Sequence, residues 1–193
     1  MWVEPVVLEG LRVRLEPLSE RHVPDLSRHL ELELFQFFAG LRPACADAPG
    51  TLDYVRQRMA LSDISFAMVL RDTGEAIGHT SFMEIREAHR ALEIGSTWIG
   101  RAWQRTFVNP EVKLLMLTHA FESLGCVRVQ LKTDLRNTQS QRGIEKLGAV
   151  REGVLRRHQI CADGHIRDTV MYSITDGEWP SVKTRLEDRL LRA

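Results

Sequence analysis

Three cysteines, Cys45, Cys126 and Cys161, stand 81 and 35 positions apart in 193 residues, so there is no Cys-x-x-Cys pair and no local thiolate cluster for a metal. The seven histidines, His158 and His165 among them, lack metal-ligand spacing. No Gly-x-Ser-x-Gly elbow points to a serine hydrolase. Nor does any window approach the roughly 18 uninterrupted apolar residues that span a bilayer, and Glu4 and Glu9 interrupt an N-terminus without an apolar leader core. These absences predict a cytoplasmic, metal-free protein with reduced, partly buried thiols and no membrane association. Net charge is missing too: 26 Lys and Arg balance 26 Asp and Glu, whereas a protein coating duplex DNA is usually basic overall. At 44% hydrophobic residues the chain is too apolar to be disordered, and no repeat or compositional bias marks a coiled coil or collagen. The length fits one domain, 1–193, with enough apolar material to bury a core unaided.

The neutral sum conceals an asymmetry. Residues 1–100 carry 10 basic and 15 acidic side chains, residues 101–158 carry 11 and 5, and residues 159–193 carry 5 and 6. A basic middle segment suits a ligand bearing phosphates, or is simply a basic sheet and helix surface.

The hydrophobic pattern alternates between periods of 2 and 3.6. Leu11, Val13 and Leu15 predict a half-buried strand, ended by Pro17. Ser19 can cap a helix whose Val23, Leu26, Leu30 and Leu34 share a face. Residues 35–50 form a loop whose phenylalanines are either core plugs or a substrate wall, and Thr51 opens a second helix with Leu52, Val55 and Met59. Strands follow over 65–70, 76–85 and 91–99 as an antiparallel meander. Asn109, Pro110 and Glu111 suit the N-cap and first turn of a helix running through Leu124 to a stop at Gly125. A strand around Val127, Val129 and Leu131 leads to Asn137, a second N-cap, and to a short helix ending at Gly148. Strands over 149–160 and 165–174 flank Asp163-Gly164, a hairpin dipeptide. A last helix from Trp179-Pro180 presents Trp179, Val182, Leu186 and Leu190 to the body, and could frame a homodimer contact.

This order is α+β. Its one strand–helix–strand unit, about 91–133, can set two parallel strands side by side, with the intervening helix starting where ligands tend to sit. The loop before that helix offers free backbone N–H groups and a positive dipole end, and Arg101, Arg105 and Lys113 can add charge for a phosphate.

Several motifs in this order resemble the GNAT N-acetyltransferase superfamily, within it the branch like the RimJ and RimL ribosomal-protein N-terminal acetyltransferases. The resemblance covers 11–174. It rests on Leu11-Arg12-Val13-Arg14-Leu15-Glu16-Pro17-Leu18, Leu92-Glu93-Ile94-Gly95, His119-Ala120-Phe121-Glu122 and above all 129–157, with Asp134-Leu135-Arg136-Asn137-Thr138-Gln139-Ser140, Glu145-Lys146-Leu147-Gly148-Ala149 and Glu152-Gly153-Val154-Leu155-Arg156-Arg157. The resemblance implies a mixed, mostly antiparallel sheet with a splayed parallel pair, helices on both faces, and residues 175–193 as a helix packed on the body. It also implies acetyl-coenzyme A as co-substrate. The pantetheine arm would lie along Thr97, Trp98 and Ile99, and the pyrophosphate on Gln104, Arg105, Thr106, Phe107, Val108, Asn109 and Lys113. The family usually has glycines where Arg105 and Phe107 stand, and glycine lets backbone approach phosphate with φ > 0. Either Arg105, Asn109 and Lys113 replace part of that cradle with side chains, as in a branch with a similar Asn-x-Glu-x-Lys run, or the cofactor site is degraded.

An amine must lose its proton to attack a thioester, so a base is needed. Glu93 is the candidate, the alternative being a structural carboxylate paired with Arg128 or Lys132. Asn137 and Ser140 match the family's Asn-x-x-Ser, where both can face the pantetheine arm and the sulphur; Asn137 also reads as an ordinary N-cap. Relatives often place a tyrosine acid where Ile144 stands, so Ser140 is the candidate donor to the leaving sulphur. The resemblance leaves the acceptor open between a protein N-terminal amine and a small amine. From a different class, the altered loop favours a non-catalytic coenzyme A-binding module.

Overall fold

The computed structural model describes residues 2–161 and 163–192. An eight-stranded sheet runs in the order β1-β2-β3-β4-β5-β6-β8-β7, and among the described residues only β5 and β6 pair in parallel. The strands are β1 (Leu8–Glu9), β2 (Val13–Pro17), β3 (Ile64–Leu70), β4 (Ala76–Arg86), β5 (Ala91–Ile99), β6 (Arg128–Asp134), β7 (Val150–Ile160) and β8 (Ile166–Thr175). Period-2 alternation sorts their side chains into two layers. Phe66, Met68 and Leu70 of β3 join Val13, Leu92, Ile94, Val129, Leu131, Val170 and Tyr172 under three helices: α3 (Val108–Thr118), α4 (Thr138–Leu147) and α5 (Trp179–Leu191). Ala67 and Val69 point the other way, with Trp98, into a smaller layer under α1 (Val23–His29) and α2 (Ala48–Met59). Helices therefore lie on both faces, as the resemblance implied.

Several expected boundaries move, each for a local reason. Ser19 caps a 3-10 turn, Glu20–His22, its backbone N–H donating to His22 Nδ1, and α1 stops at His29 because Leu30 is extended (ψ 126°). Leu34 falls in a second 3-10 turn. α2 opens at Ala48 rather than Thr51: Asp47 Oδ1 accepts from the Gly50 N–H, and the Thr51 hydroxyl donates back to the Asp47 carbonyl. Asn109 is not the cap of α3. That place belongs to Phe107, already helical at φ −64°, and Thr106 Oγ1 accepts from the Val108 N–H instead. α3 also gives way at His119–Ser123 to a π turn before Gly125 (φ +64°) stops it. The β7–β8 connection runs over 161–165, with Gly164 at φ +82°, and Ala162 lies outside the described residues.

α5 runs antiparallel to α3. At its start Trp179 stacks on Phe121 (centroids 5.4 Å apart), while Trp179 Nε1 and Lys183 Nζ both donate to Glu122 Oε1 at 2.8 Å. Its far end reaches the start of α3, where Arg189 and Leu190 border the same pocket as Phe107 and Pro110.

Candidate active site

β5 and β6 pair through Ala91–Arg128, Leu92–Val129 and Glu93–Gln130, then part. Beyond the fork β5 stays with β4 and β6 with β8, leaving a wedge between the two strands. Glu93 is 1% exposed at the last paired position. Its Oε2 accepts from Lys132 Nζ at 3.0 Å and from Gln130 Nε2 at 2.9 Å, whereas Arg128 pairs with Glu152. Gly95 makes room for this carboxylate, since a Cβ there would stand 3.0 Å from Glu93 Oε1 and 2.8 Å from Met83 Sδ.

Past Gly95 the ladder between β4 and β5 slips, and Ser96 takes a left-handed conformation, φ +48°. This bulge is held from both faces. On the α2 side His79, fully buried, donates from Nδ1 to the Ser96 carbonyl at 2.9 Å and accepts at Nε2 from Ser81 Oγ at 3.2 Å, a hydroxyl that itself accepts from Arg58. Burial pushes the His79 imidazole down to about 3, so it is neutral near pH 7. On the α3 side Lys113 Nζ donates to Thr97 Oγ1 at 2.9 Å, and Thr80 Oγ1 is 2.8 Å beyond. Trp98 is buried against Phe35, and the carbonyl of Ile99 accepts from Gln104 Nε2. Thr97, Trp98 and Ile99 thus occupy a rigid stretch of one wedge wall.

Lys113 turns inward rather than toward the helix start: it is 5% exposed, and among the described residues it has no carboxylate partner. Burial pushes its pKa from 10.5 down to about 7. The unfolded chain therefore holds this proton up to about pH 10.5, while the folded protein releases it above about pH 7. The group thus costs stability that is recovered as pH rises between those values. Lys113→Met is expected to stabilise the ligand-free protein by about 1–4 kcal/mol at pH 7, with the gain fading toward pH 10. Thermal unfolding across that range checks it; an equal gain at both ends would mean that the ammonium is not the source.

The loop at 100–107 carries Arg105 with φ +63°, the left-handed conformation glycine would adopt most easily, so the backbone turn survives without glycine. Arg101 is drawn away to Glu31. Arg105, Thr106, Phe107 and Pro110 instead line a pocket of about 490 Å³ with Arg189 and Leu190 of α5. Arg189 has no signature in the sequence, because nothing local brings a C-terminal helix to this loop. Arg12 lies over the Phe107 ring, 3.9 Å from its centroid, on the neighbouring side.

On the opposite wall Asn137 caps α4, its Oδ1 accepting from the Ser140 N–H at 3.0 Å, and Ser140 is half-buried. Ile144 is in the core. Thr97 and Lys113 thus meet on the α3 side of the fork next to the loop, Glu93 faces the other side of the sheet at the last paired position, and Asn137 and Ser140 lie on the segment that follows β6. Among the described residues no group of three or more His, Cys, Asp or Glu could hold a metal ion, and no helix is long and apolar enough to cross a membrane.

Residues 12–150 match the acetyltransferase (GNAT) domain family. A crystal structure from T. thermophilus, provisionally assigned as an acetyltransferase, is 40% identical with a TM-score of 0.91, and the match covers 98% of this chain and 100% of that one. The Bacillus subtilis protein YdaF, provisionally assigned as a ribosomal N-acetyltransferase, is 29% identical over 183 residues, 92% of this chain and 97% of its own length. Mycobacterium smegmatis RimJ, solved in complex with CoA-disulfide, shares the fold with a TM-score of 0.77 and 22% identity, the match covering 96% of this chain and 95% of that one. The chain spans 62% of the length of another Bacillus subtilis relative, the uncharacterized N-acetyltransferase YoaA, at 34% identity over 111 residues, 58% of this chain.

Proposed function

The chain belongs to the GNAT acetyltransferase family, and from that premise we propose that it transfers the acetyl group of acetyl-coenzyme A directly to an amine. The observation that carries this is the parting of β5 and β6 just beyond Glu93, with a buried carboxylate at the fork and a rigid bulge beside it. The residues present fit the co-substrate: Arg105 keeps the loop's left-handed turn, and its pocket is bordered by the guanidinium-bearing residues Arg105 and Arg189. Bound acetyl-coenzyme A supplies an activated acetyl thioester.

In this reading Thr97, Trp98 and Ile99 orient the pantetheine arm through their backbone. Gln104, Arg105, Thr106, Phe107, Val108 and Asn109 hold the pyrophosphate, with Arg189 adding charge from α5. Lys113 and His79 fix the bulge rather than touch phosphate. Glu93 takes the acceptor's proton, and Lys132 compensates its charge. Ser140 donates to the departing sulphur, and Asn137 sets the start of its helix.

Relatives with ribosomal N-acetyltransferase assignments support testing a protein N-terminal amine alongside small amines. An equilibrium titration with acetyl-coenzyme A, followed by thiol release across peptides and small amines, is expected to show saturable binding and release. Absence of saturable binding to the folded protein overturns the proposal. Binding without release from any amine would instead describe a coenzyme A-binding module.

A further inference from the structure

The face of β5, β6 and β8 turned away from α3–α5 is polar. Odd residues of β8 and even residues of β6 point there, opposite Val170, Tyr172, Leu131 and Val129, which lie in the larger core. It carries Glu93, Gln130, Lys132, Asp134, Arg167 and Thr169. α1 and α2 cover β3 and β4 instead, and over this half of the sheet the chain brings the loop that contains Phe37.

Among the described residues, every charge on this floor is paired except one. Glu93 is taken by Lys132, and Asp134 is taken by Arg136 through Nε at 3.1 Å and Nη2 at 2.9 Å. Arg167 is 6% exposed. Its Nη1 donates to the Phe37 carbonyl at 3.3 Å, its Nε has no partner, and among the described residues no carboxylate comes within 4.0 Å of it. Asp134 and Glu93 are near enough to act on its charge, but neither is free to bind it. A buried guanidinium that no anion contacts is costly, and such a site is understandable where a ligand supplies the contacting anion. Two further orphans surround it. Gln159, the cross-strand partner of Arg167, leaves Oε1 unpartnered, and Thr169, two residues along the same strand face, leaves Oγ1 unpartnered at 0% exposure. Arg136 closes the group from above, 5.7 Å from the Phe37 ring centroid.

From this cluster we infer that the acceptor carries a carboxylate as well as its amine, and that Arg167 binds that carboxylate while Gln159 and Thr169 accept hydrogen bonds from neighbouring N–H groups. The planar guanidinium fork matches a carboxylate in two-point geometry, which an ammonium cannot do. Specificity follows from the same asymmetry: an acceptor lacking the anion leaves the buried fork unsatisfied. Arg167 is therefore a binding residue for the acceptor, on the same sheet face as Glu93. The inference rests on the acetyltransferase reading for the identity of the ligand as acceptor.

The carboxylate can come from a free amino acid or from an acidic side chain early in a peptide, and paired probes separate these. Calorimetry with coenzyme A present compares alanine with alaninamide, and Ala-Glu-Ala-amide with Ala-Gln-Ala-amide. The carboxylate member of at least one pair is expected to bind roughly 10- to 100-fold more tightly, as a charge-assisted contact would give. The pair that shows it names the source. Arg167→Gln is expected to abolish the advantage and Arg167→Lys to restore part of it, with acetyl-coenzyme A affinity unchanged in both. The wild-type preference requires no variant, so a variant that fails to fold does not spare the inference. Equal binding within both pairs, no binding of any probe, or an advantage that survives Arg167→Gln overturns it. Thiol release run in parallel tests the other reading: transfer to neutral amines without carboxylate preference overturns only the Arg167 assignment. An Arg167-dependent carboxylate preference without release in any arm upholds the site and overturns transfer.

Discussion

Glu93→Gln is expected to lower kcat by about 10²- to 10⁴-fold, the range a positioned general base contributes, while leaving acetyl-coenzyme A affinity within about twofold. The substitution keeps the shape of a side chain that is 1% exposed, in a space that Gly95 leaves open, but removes the atom that would hold the acceptor's proton. Glu93 also neutralises Lys132, so the single variant leaves a half-buried ammonium uncompensated and is expected to lose stability as well. A double variant, Glu93→Gln with Lys132→Met, separates the two roles. Thermal stability should recover when the ammonium is removed, and turnover should not. Turnover that returns along with stability would reduce Glu93 to a structural partner and transfer the base role elsewhere.

Glu111→Ala is expected to destabilise the protein by about 3–5 kcal/mol, the cost of stranding buried groups that shared a charged partner. Near a helix start an acidic residue is ordinarily a dipole complement worth about 0.3–1 kcal/mol. Here the side chain turns away from its own helix and is 3% exposed. Oε1 accepts from the backbone N–H groups of Arg12 at 2.7 Å and Val13 at 3.1 Å, and the Arg12 guanidinium lies 3.5 Å from Oε2. One carboxylate thus ties the start of α3 to the start of β2, nearly a hundred residues earlier. Gly10 has to be small beside it, because a Cβ there would stand 2.5 Å from Oε1. At about 2–4 °C per kcal/mol for a chain of this size, a fall in Tm of about 6–20 °C is expected. A weaker grip on acetyl-coenzyme A should accompany it, because the binding loop leads into the same helix. A Tm within about 2 °C of wild type would show that the carboxylate does not join these elements.

The sequence pattern predicted the main strands and all but the first helix within a few residues, since a period of 2 or 3.6 is a local property that survives packing; the first helix, expected through Leu34, ends at His29. Boundaries moved where a side chain chose a partner the pattern could not weigh. Asp47 outcompeted Thr51 as a cap, and Asn109 lost the cap of α3 because Phe107 was already helical. Of the phenylalanines in residues 35–50, Phe35 is a core plug, 1% exposed, and the Phe37 backbone carbonyl accepts from Arg167. For Glu93 the sequence offered Arg128 or Lys132 as partner; it lies opposite Gln130, between the two, and Lys132 pairs with it while Arg128 is taken by Glu152.

Four of the eleven basic side chains of 101–158 are taken up in ion pairs once the chain folds: Arg101 with Glu31, Arg128 with Glu152, Lys132 with Glu93 and Arg136 with Asp134. Arg105, at the surface of the loop, and Lys113, beneath it, are among those that have no carboxylate partner among the described residues. Sequence by itself determined the order of elements, the one strand–helix–strand unit and the loop before its helix, because each is written in the spacing of neighbouring residues, while the splay of the two strands was what the family resemblance implied. Only the tertiary structure decided which charges remain unspent. Pairing depends on distances across the sheet and on burial, so the inward turn of Lys113, the arrival of Arg189 from α5 and the solitary Arg167 beneath Phe37 had no signature along the chain.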